Sequence, residues 1–360
     1  MTKGKLPRVT FYNEGHIGDV LITLPFIQLL LQKYPYFDYV HYNKGGGGTI
    51  FHGDLTCGYD RALPLVSELD GDLNIPTWMC NKEYADWEAP ADYPFTDLFS
   101  VQKYYWEKIF KKLEVDIEIP SDLGIDYRYS INAKNRINDH CTNADNTITS
   151  RKKVLVYNQK SRSGQTDNQD YKSYLLRMAT IFDDVDFYYT NEEDIDKKLI
   201  VNNNLYYTPS VHSNPHRNPN SKPRECDIIH NSFLSRYVDV IVGRVSGPFM
   251  YASMHNGNVK DENKIIISQH NGNDRKDDLE TYFNRSICKS HNIHTKTTKE
   301  TFATLEEELT QLEGKYAGFH INPALEHLPQ NSENGALYIE DEEMLKDMEM
   351  QNPRKGSVEY

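Results

Sequence analysis

Long apolar runs are what this chain most obviously lacks. No stretch of about 18 consecutive apolar residues occurs, so no segment reads as a bilayer-spanning helix. Cysteine is scarce: Cys57, Cys80, Cys141, Cys226 and Cys288 are far apart, odd in number and without a C-x-x-C pair. That argues against a disulfide framework and against zinc, and points to free thiols in a reducing compartment. Positive charge is in deficit, with 40 Lys and Arg against 53 Asp and Glu and a net charge of −13. Such a balance disfavours non-specific contact with nucleic acid or an anionic membrane, while leaving room for a local cationic pocket. Two glycine signatures are absent as well. Gly45 to Gly48 is not followed by G-K-[ST], so it is not a P-loop. No G-x-G-x-x-G follows the first strand, which disfavours a nicotinamide-dependent oxidoreductase. No apolar signal core precedes the first strand pattern at Val9, and a cytoplasmic location is expected.

What is present is an alternation of strands and helices, twice over. A chain of 360 residues has room for two domains of about 150 residues each. Hydrophobic residues make up 38% and there are 25 Tyr, enough to support real cores. Val9 to Asn13 reads as a buried strand. A glycine turn, Gly15-His16-Ile17-Gly18-Asp19, follows, then an apolar helix from Val20 to about Lys33 and a strand over Phe37 to Tyr42. This β-α-β unit implies a parallel sheet with a right-handed crossover. Residues 74–95 are irregular and aromatic, and a helix is expected over Thr96 to Leu113. The polar residues 141–153 read as an interdomain linker.

The pattern then restarts. Strands are expected at Val154 to Tyr157, Val185 to Tyr189, Leu205 to Tyr207, Val238 to Val242 and Ile265 to Ile267. Helices are expected over Asp170 to Phe182, Asp227 to Arg236 and from Gly247-Pro248 onward. The expected fold class is α/β, with Rossmann-like domains at 1–145 and 153–317 and a partly disordered tail at 318–360.

Two stretches carry a family resemblance. Gly18-Asp19-Val20-Leu21-Ile22-Thr23-Leu24-Pro25, with Tyr34-Pro35 closing the helix, resembles the opening of the heptosyltransferases, glycosyltransferase family 9. Asp239-Val240-Ile241-Val242-Gly243 followed by Ser246-Gly247-Pro248 resembles that family's strand and D-[ST]-G-P-x-H turn. Val245 stands where the family has Asp, and Met250 where it has His. The resemblance implies a GT-B architecture, two Rossmann-like domains with parallel sheets facing a central cleft. It also implies an inverting, metal-independent and cofactor-free transfer from a nucleoside diphosphate sugar to a glycan hydroxyl. The donor base, the sugar and the acceptor are not implied by these residues.

Each candidate site has a chemical reason. In the turn after the first strand, Gly15 and Gly18 let the backbone approach a ligand, and nearby helix amides favour negative charge. The resemblance gives Asp19 the role of base toward the acceptor hydroxyl, a role typically worth about 10²–10⁴-fold. His16 and Glu14 are further candidates in the same turn, and the structural alternative for Asp19 is a helix cap. The loop Asn158 to Gly164 holds Lys160, Ser161 and Arg162, whose cations and amides suit a leaving diphosphate; a solvated basic loop is the alternative. Arg244, Ser246, Gly247 and Pro248 offer charge, a hydroxyl and helix amides to the same diphosphate, or simply a tight turn. Trp78 and Trp87 offer stacking faces for an acceptor sugar, or packing.

The competing readings are a metal-dependent transferase, a sugar-nucleotide epimerase and a non-catalytic nucleotide-sugar-binding protein. The first would use Asp70-Gly71-Asp72 or Asp184-Val185-Asp186 as a D-x-D site.

Overall fold

A computed structural model of the chain describes residues 6–12, 17–42, 65–66, 68–77, 98–125, 149–158, 171–191, 202–208, 227–270, 287–295 and 297–313. Among them, two parallel sheets organise the backbone. The first is built from β1 (Arg8–Tyr12), β2 (Asp38–Tyr42), β3 (Leu65–Val66) and β4 (Leu73–Pro76), in the order β3-β2-β1-β4. Helix α1 (Ile17–Lys33) makes the crossover from β1 to β2. β1 pairs on both sides, with Thr10 opposite Val40 and Asn74. Strand order therefore reverses between β1 and β4. Helix α2 (Leu98–Lys112) follows.

The second sheet contains β5 (Lys152–Tyr157), β6 (Val185–Tyr189), β7 (Leu205–Tyr207), β8 (Val240–Arg244), β9 (Ile265–His270) and β10 (Lys289–His294). Its order is β10-β9-β8-β5-β6-β7, all parallel, with the reversal between β5 and β8. Helices α3 (Tyr171–Ile181), α4 (Asp227–Leu234), α5 (Gly247–Ser253), α6 (Asn256–Val259) and α7 (Thr298–Gln311) connect and cover it. Two parallel α/β sheets fit the two expected Rossmann-like domains, and the second has the strand order of a dinucleotide-binding fold.

The apolar runs explain the second sheet. Parallel strands covered on both faces need apolar residues at successive positions, and Val154-Leu155-Val156-Tyr157 and Val240-Ile241-Val242 supply them. Val154, Val156, Val240, Val242, Ile265 and Ile267 pack under Leu175 and Met178 of α3 and Phe302, Leu305 and Leu309 of α7. Leu155, Tyr157, Ile241 and Ile266 face the other way, into a core that also holds Val9, Phe11, Phe26 and Trp106 of the N-terminal half. Within that shared core α1 packs against α5.

Three short or polar strands differ from the expectation. β3 and β4 are only two and four residues long, and β4 ends on Pro76 within the stretch read as irregular. β10, Lys-Ser-His-Asn-Ile-His, has a single aliphatic residue and lies at the sheet edge. Backbone pairing to a neighbour makes these segments strands, and no apolar pattern announces it.

Trp106 is fully buried at the centre of the N-terminal packing. Its ring stacks on Phe26 at 5.7 Å and tilts against Phe11 at 6.1 Å. Helix α2 ends in a Schellman motif: the Val115 amide donates to the Phe110 carbonyl at 3.0 Å and the Glu114 amide to that of Lys111 at 3.1 Å. Glu114 takes the left-handed position, at φ 56°. Beyond it Val115, Ile117 and Ile119 are buried and alternate with exposed Asp116 and Glu118. This extended run reaches Ile125, whose amide donates to the Met254 carbonyl at 2.7 Å and whose carbonyl accepts from the Asn256 amide at 2.8 Å. A one-residue parallel bridge thus ties the N-terminal half to the α5–α6 corner.

Candidate functional site

Open parallel sheets bind ligands beyond the carboxyl ends of their strands where the order reverses, because the loops there depart to opposite faces and leave a crevice. In this chain the two reversals lie between β1 and β4 and between β5 and β8.

At the first reversal, β1 ends on Tyr12, whose carbonyl accepts from the Thr77 amide at 2.9 Å just past β4. The following residues Asn13 to His16, which include Glu14, Gly15 and His16, lie outside the described residues, as do Trp78 and Trp87. α1 begins at Ile17, so Gly18 and Asp19 belong to its first turn rather than to the preceding loop. First-turn amides have no intrahelical acceptor in any case.

The second reversal is described in more detail. Tyr157 of β5 pairs in register with Gly243 of β8. Gly243 has φ +155°, and a Cβ placed on it would lie 2.5 Å from the Tyr157 carbonyl oxygen. Only glycine lets these strands approach so closely. The buried Asn158 then fastens β5 to β6. Its Oδ1 accepts from the amides of Thr190 at 3.0 Å and Asn191 at 2.8 Å, and its Nδ2 donates to the Asn191 carbonyl at 3.0 Å. Lys160, Ser161 and Arg162, in the loop leaving this point, lie outside the described residues.

Arg244, the last residue of β8, is buried, with 4% of its surface exposed. Desolvation pulls its pKa down, and the Tyr171 hydroxyl opposes that shift. Ser246 is the N-cap of α5: its backbone is extended, at φ −153°, and its Oγ accepts from the Phe249 amide at 3.4 Å. Gly247 opens the helix and Pro248 occupies its first turn, where a missing N–H costs nothing. The turn after β8 is therefore built from a cap and a proline, as the sequence suggests.

Next to Gly243 lies a polar group that the sequence did not single out. Ser268 of β9 is Gly243's in-register neighbour. Its Oγ lies 3.1 Å from His270 Nε2 and donates to Asn292 Oδ1 at 2.8 Å. The His270 ring stacks on His294 at 4.8 Å. Burial first, and then the electrostatic influence of His294, pushes His270 down to about 4, against a partial offset from the Asn292 bond. Polar residues at the carboxyl end of two strands are the only signal the sequence offers for this group.

The D-x-D spellings lie elsewhere. Asp70 accepts from the Arg8 guanidinium at 2.7 Å and Asp72 from the Arg8 amide at 2.7 Å. Asp186 pairs with Arg151 at 2.6 Å and Asp184 with Lys152 at 3.0 Å. Arg8, Arg151 and Lys152 sit where β1 and β5 begin, so Asp70, Asp184 and Asp186 serve ion pairs and Asp72 a backbone hydrogen bond at the amino edges, away from both reversals. Asp239 is likewise structural, its buried carboxylate accepting from the Lys153 amide at 2.8 Å. Among the described residues no helix is long and apolar enough to cross a membrane.

No protein-family model matches the sequence, and no curated protein matches it. Solved structures of glycosyltransferases and of an epimerase resemble it. A family 9 glycosyltransferase from Veillonella parvula is 10% identical, with 90% of this chain and 94% of that one covered and a TM-score of 0.47. The E. coli heptosyltransferase WaaC, solved with ADP, is also 10% identical, covering 84% and 98% with a TM-score of 0.47. A UDP-N-acetylglucosamine 2-epimerase is 12% identical, covering 87% and 92% with a TM-score of 0.34.

The two departures from the family motif have a structural explanation. Val245 packs against the shared core and Met250 lies within it, 2% exposed. At the positions where the motif carries Asp and His, this chain has apolar residues that serve packing.

Proposed function

We propose that the protein is a glycosyltransferase that moves a sugar from a nucleoside diphosphate sugar to a glycan hydroxyl, with inversion and without a metal or other cofactor. The donor lies against the C-terminal domain, 153–317, and the acceptor against the N-terminal domain, 1–145. One observation carries this reading. Each sheet reverses its strand order beside the strand that leads into one of the two motif turns, and the helices after those turns, α1 and α5, pack on each other. Two α/β crevices joined in this way suit a donor and an acceptor that must meet in line.

In this reading Asp19 is the base that takes the acceptor proton, with His16 as the second candidate. Gly15, Gly18, Trp78 and Trp87 serve the acceptor side. Lys160, Arg162 and Arg244 supply the positive charge that a departing diphosphate needs, and Ser161, Ser246, Gly247 and Pro248 supply hydroxyl and backbone contacts. The protein works in the cytoplasm, with no nucleic-acid partner.

A thermal-shift panel of ADP, GDP, UDP, CDP and their sugars tests the reading. A ligand at a hundredfold excess over its Kd stabilises by about 2.7 kcal/mol, and the best donor is expected to give such a shift. A panel without any shift would remove the reading. The apolar Val245 and Met250 favour a second one, a non-catalytic nucleotide-sugar-binding protein. Binding without transfer to any hydroxyl acceptor would select it.

A further inference from the structure

Arg244 does not stand alone beneath the β5–β8 crevice. Arg244 and Gln269 are in-register neighbours on β8 and β9, on the sheet face covered by α3 and α7. Tyr171, the first residue of α3, covers them from above; its Oη donates to Gln269 Oε1 at 2.8 Å. Gln269 Nε2 donates in turn to the Thr297 carbonyl at 3.2 Å, at the start of α7. Tyr171 is 3% exposed and Gln269 1%.

The cluster is stiff. The Tyr171 ring meets Phe302 edge-on at 5.6 Å, which sets its height over the sheet. Both ends of the Gln269 amide are committed, the oxygen to a phenol and the nitrogen to a carbonyl, so the amide does not turn over. The Gln269 carbonyl also accepts from the Val245 amide at 3.1 Å and so fixes the turn that follows Arg244. Tyr171 and Arg244 are electrostatically coupled: the guanidinium and the Arg244 backbone favour the phenol oxygen's anionic form, and the phenol oxygen favours the guanidinium's charge, each against the dominant effect of burial. A guanidinium stays protonated even when burial lowers its pKa, because it starts above about 12. A fixed cation in such a low-dielectric place is felt further than one in water.

We infer that Tyr171 and Gln269 are positioning residues that hold Arg244 as a fixed positive charge under the β5–β8 crevice, and that this charge makes the crevice select a diphosphate-class anion. The inference rests on the donor side of the proposed function and adds two residues to it.

Titration calorimetry of the full chain with inorganic pyrophosphate tests it, with melting temperature recorded alongside. Gln269→Glu is the decisive variant. It is nearly isosteric and keeps an acceptor for the Tyr171 hydroxyl, but sets a carboxylate beside Arg244. Pyrophosphate affinity is expected to fall at least tenfold in the folded variant, by more than its melting temperature accounts for, since the carboxylate also gives up the bond to the Thr297 carbonyl. Tyr171→Phe keeps the ring on Phe302 and removes only the hydroxyl; a loss of severalfold is expected, and this variant carries the test if Gln269→Glu does not fold. Affinity within twofold of the parent in the folded variants overturns the inference, as does a parent that binds no pyrophosphate. Losses that merely track melting temperature overturn it too. The donor reading fails separately. Pyrophosphate binding with the expected variant losses, but no nucleotide sugar bound, keeps this inference and removes the donor. Nucleotide sugars bound equally by the parent and Gln269→Glu do the reverse.

Discussion

Gly243 faces the Tyr157 carbonyl across the β5–β8 reversal with no room for a methyl group: a Cβ would sit 2.5 Å from that oxygen and 2.7 Å from the Tyr157 Cβ. Because both neighbours are a buried strand, neither can move aside cheaply. The backbone conformation alone costs about 1–3 kcal/mol for a residue with a side chain. Gly243→Ala is therefore expected to destabilise the protein by at least that amount in urea unfolding. A variant with the parental midpoint would show that the two strands do not meet so closely.

The place of Asp19 in the first turn of α1 makes a kinetic prediction. Once the nucleotide panel has supplied a donor, Asp19→Asn is expected to lower kcat by about 10²–10⁴-fold, the range of general-base catalysis, and to leave donor affinity within a factor of two. A role as a helix-dipole partner would instead lower stability by about 0.3–1 kcal/mol and spare kcat. Unchanged turnover removes Asp19 from the mechanism.

Glu114 predicts a gain. It holds the left-handed position of the Schellman motif at φ 56°, where an L-residue with a side chain costs about 1–2 kcal/mol. Glycine relieves that cost but loses more chain entropy on folding, by about 0.5–1 kcal/mol. Glu114→Gly is expected to stabilise the protein by about 0.5–1 kcal/mol, read as a raised urea midpoint at unchanged slope. A lowered midpoint would mean that the Glu114 side chain contributes more than its backbone position costs.

The sequence made the interior of this fold legible and its edges obscure, for one physical reason. Buried parallel strands must be apolar at successive positions, so β1, β5, β6 and β8 stand out from residue types alone. β10 and β4 are strands because a neighbour offers backbone groups, and His291 or Asn74 says nothing of that. Helix α7 was readable in principle, from Phe302, Leu305 and Leu309 on one face and from the capping-box spelling Thr297-x-x-Glu300, although in the structure the Thr297 hydroxyl donates to the Glu300 carboxylate at 2.6 Å and does not cap the helix backbone. The site divides in the same way. Ser246-Gly247-Pro248 announces its turn through local rules of capping and proline placement. The partners of Arg244 come from α3 and β9, and only strand register sets Gln269 beside it. Among the tryptophans, the sequence drew attention to Trp78 and Trp87, whereas Trp106 proves to be the centre of a packed core.

His270 predicts a pH dependence with a definite sign. Its folded-state pKa is pushed down to about 4 from 6.5, by burial first and by His294 second. Among the described residues Ser268, Asn292 and His294 face it. Between these two values the unfolded chain carries a proton on His270 that the folded protein does not, so stability must fall as pH falls through that window. Above pH 6.5 this contribution is constant. Its full size is on the order of 3 kcal/mol, because each tenfold loss of proton affinity on folding is worth about 1.36 kcal/mol. In urea midpoints recorded from pH 7 to pH 4, His270→Asn is expected to flatten the acid limb while keeping a polar neighbour for Ser268. His294→Asn is expected to flatten it in part, since it removes the secondary cause and leaves burial in place. Parallel curves for the parent and His270→Asn would show that His270 is not the group responsible.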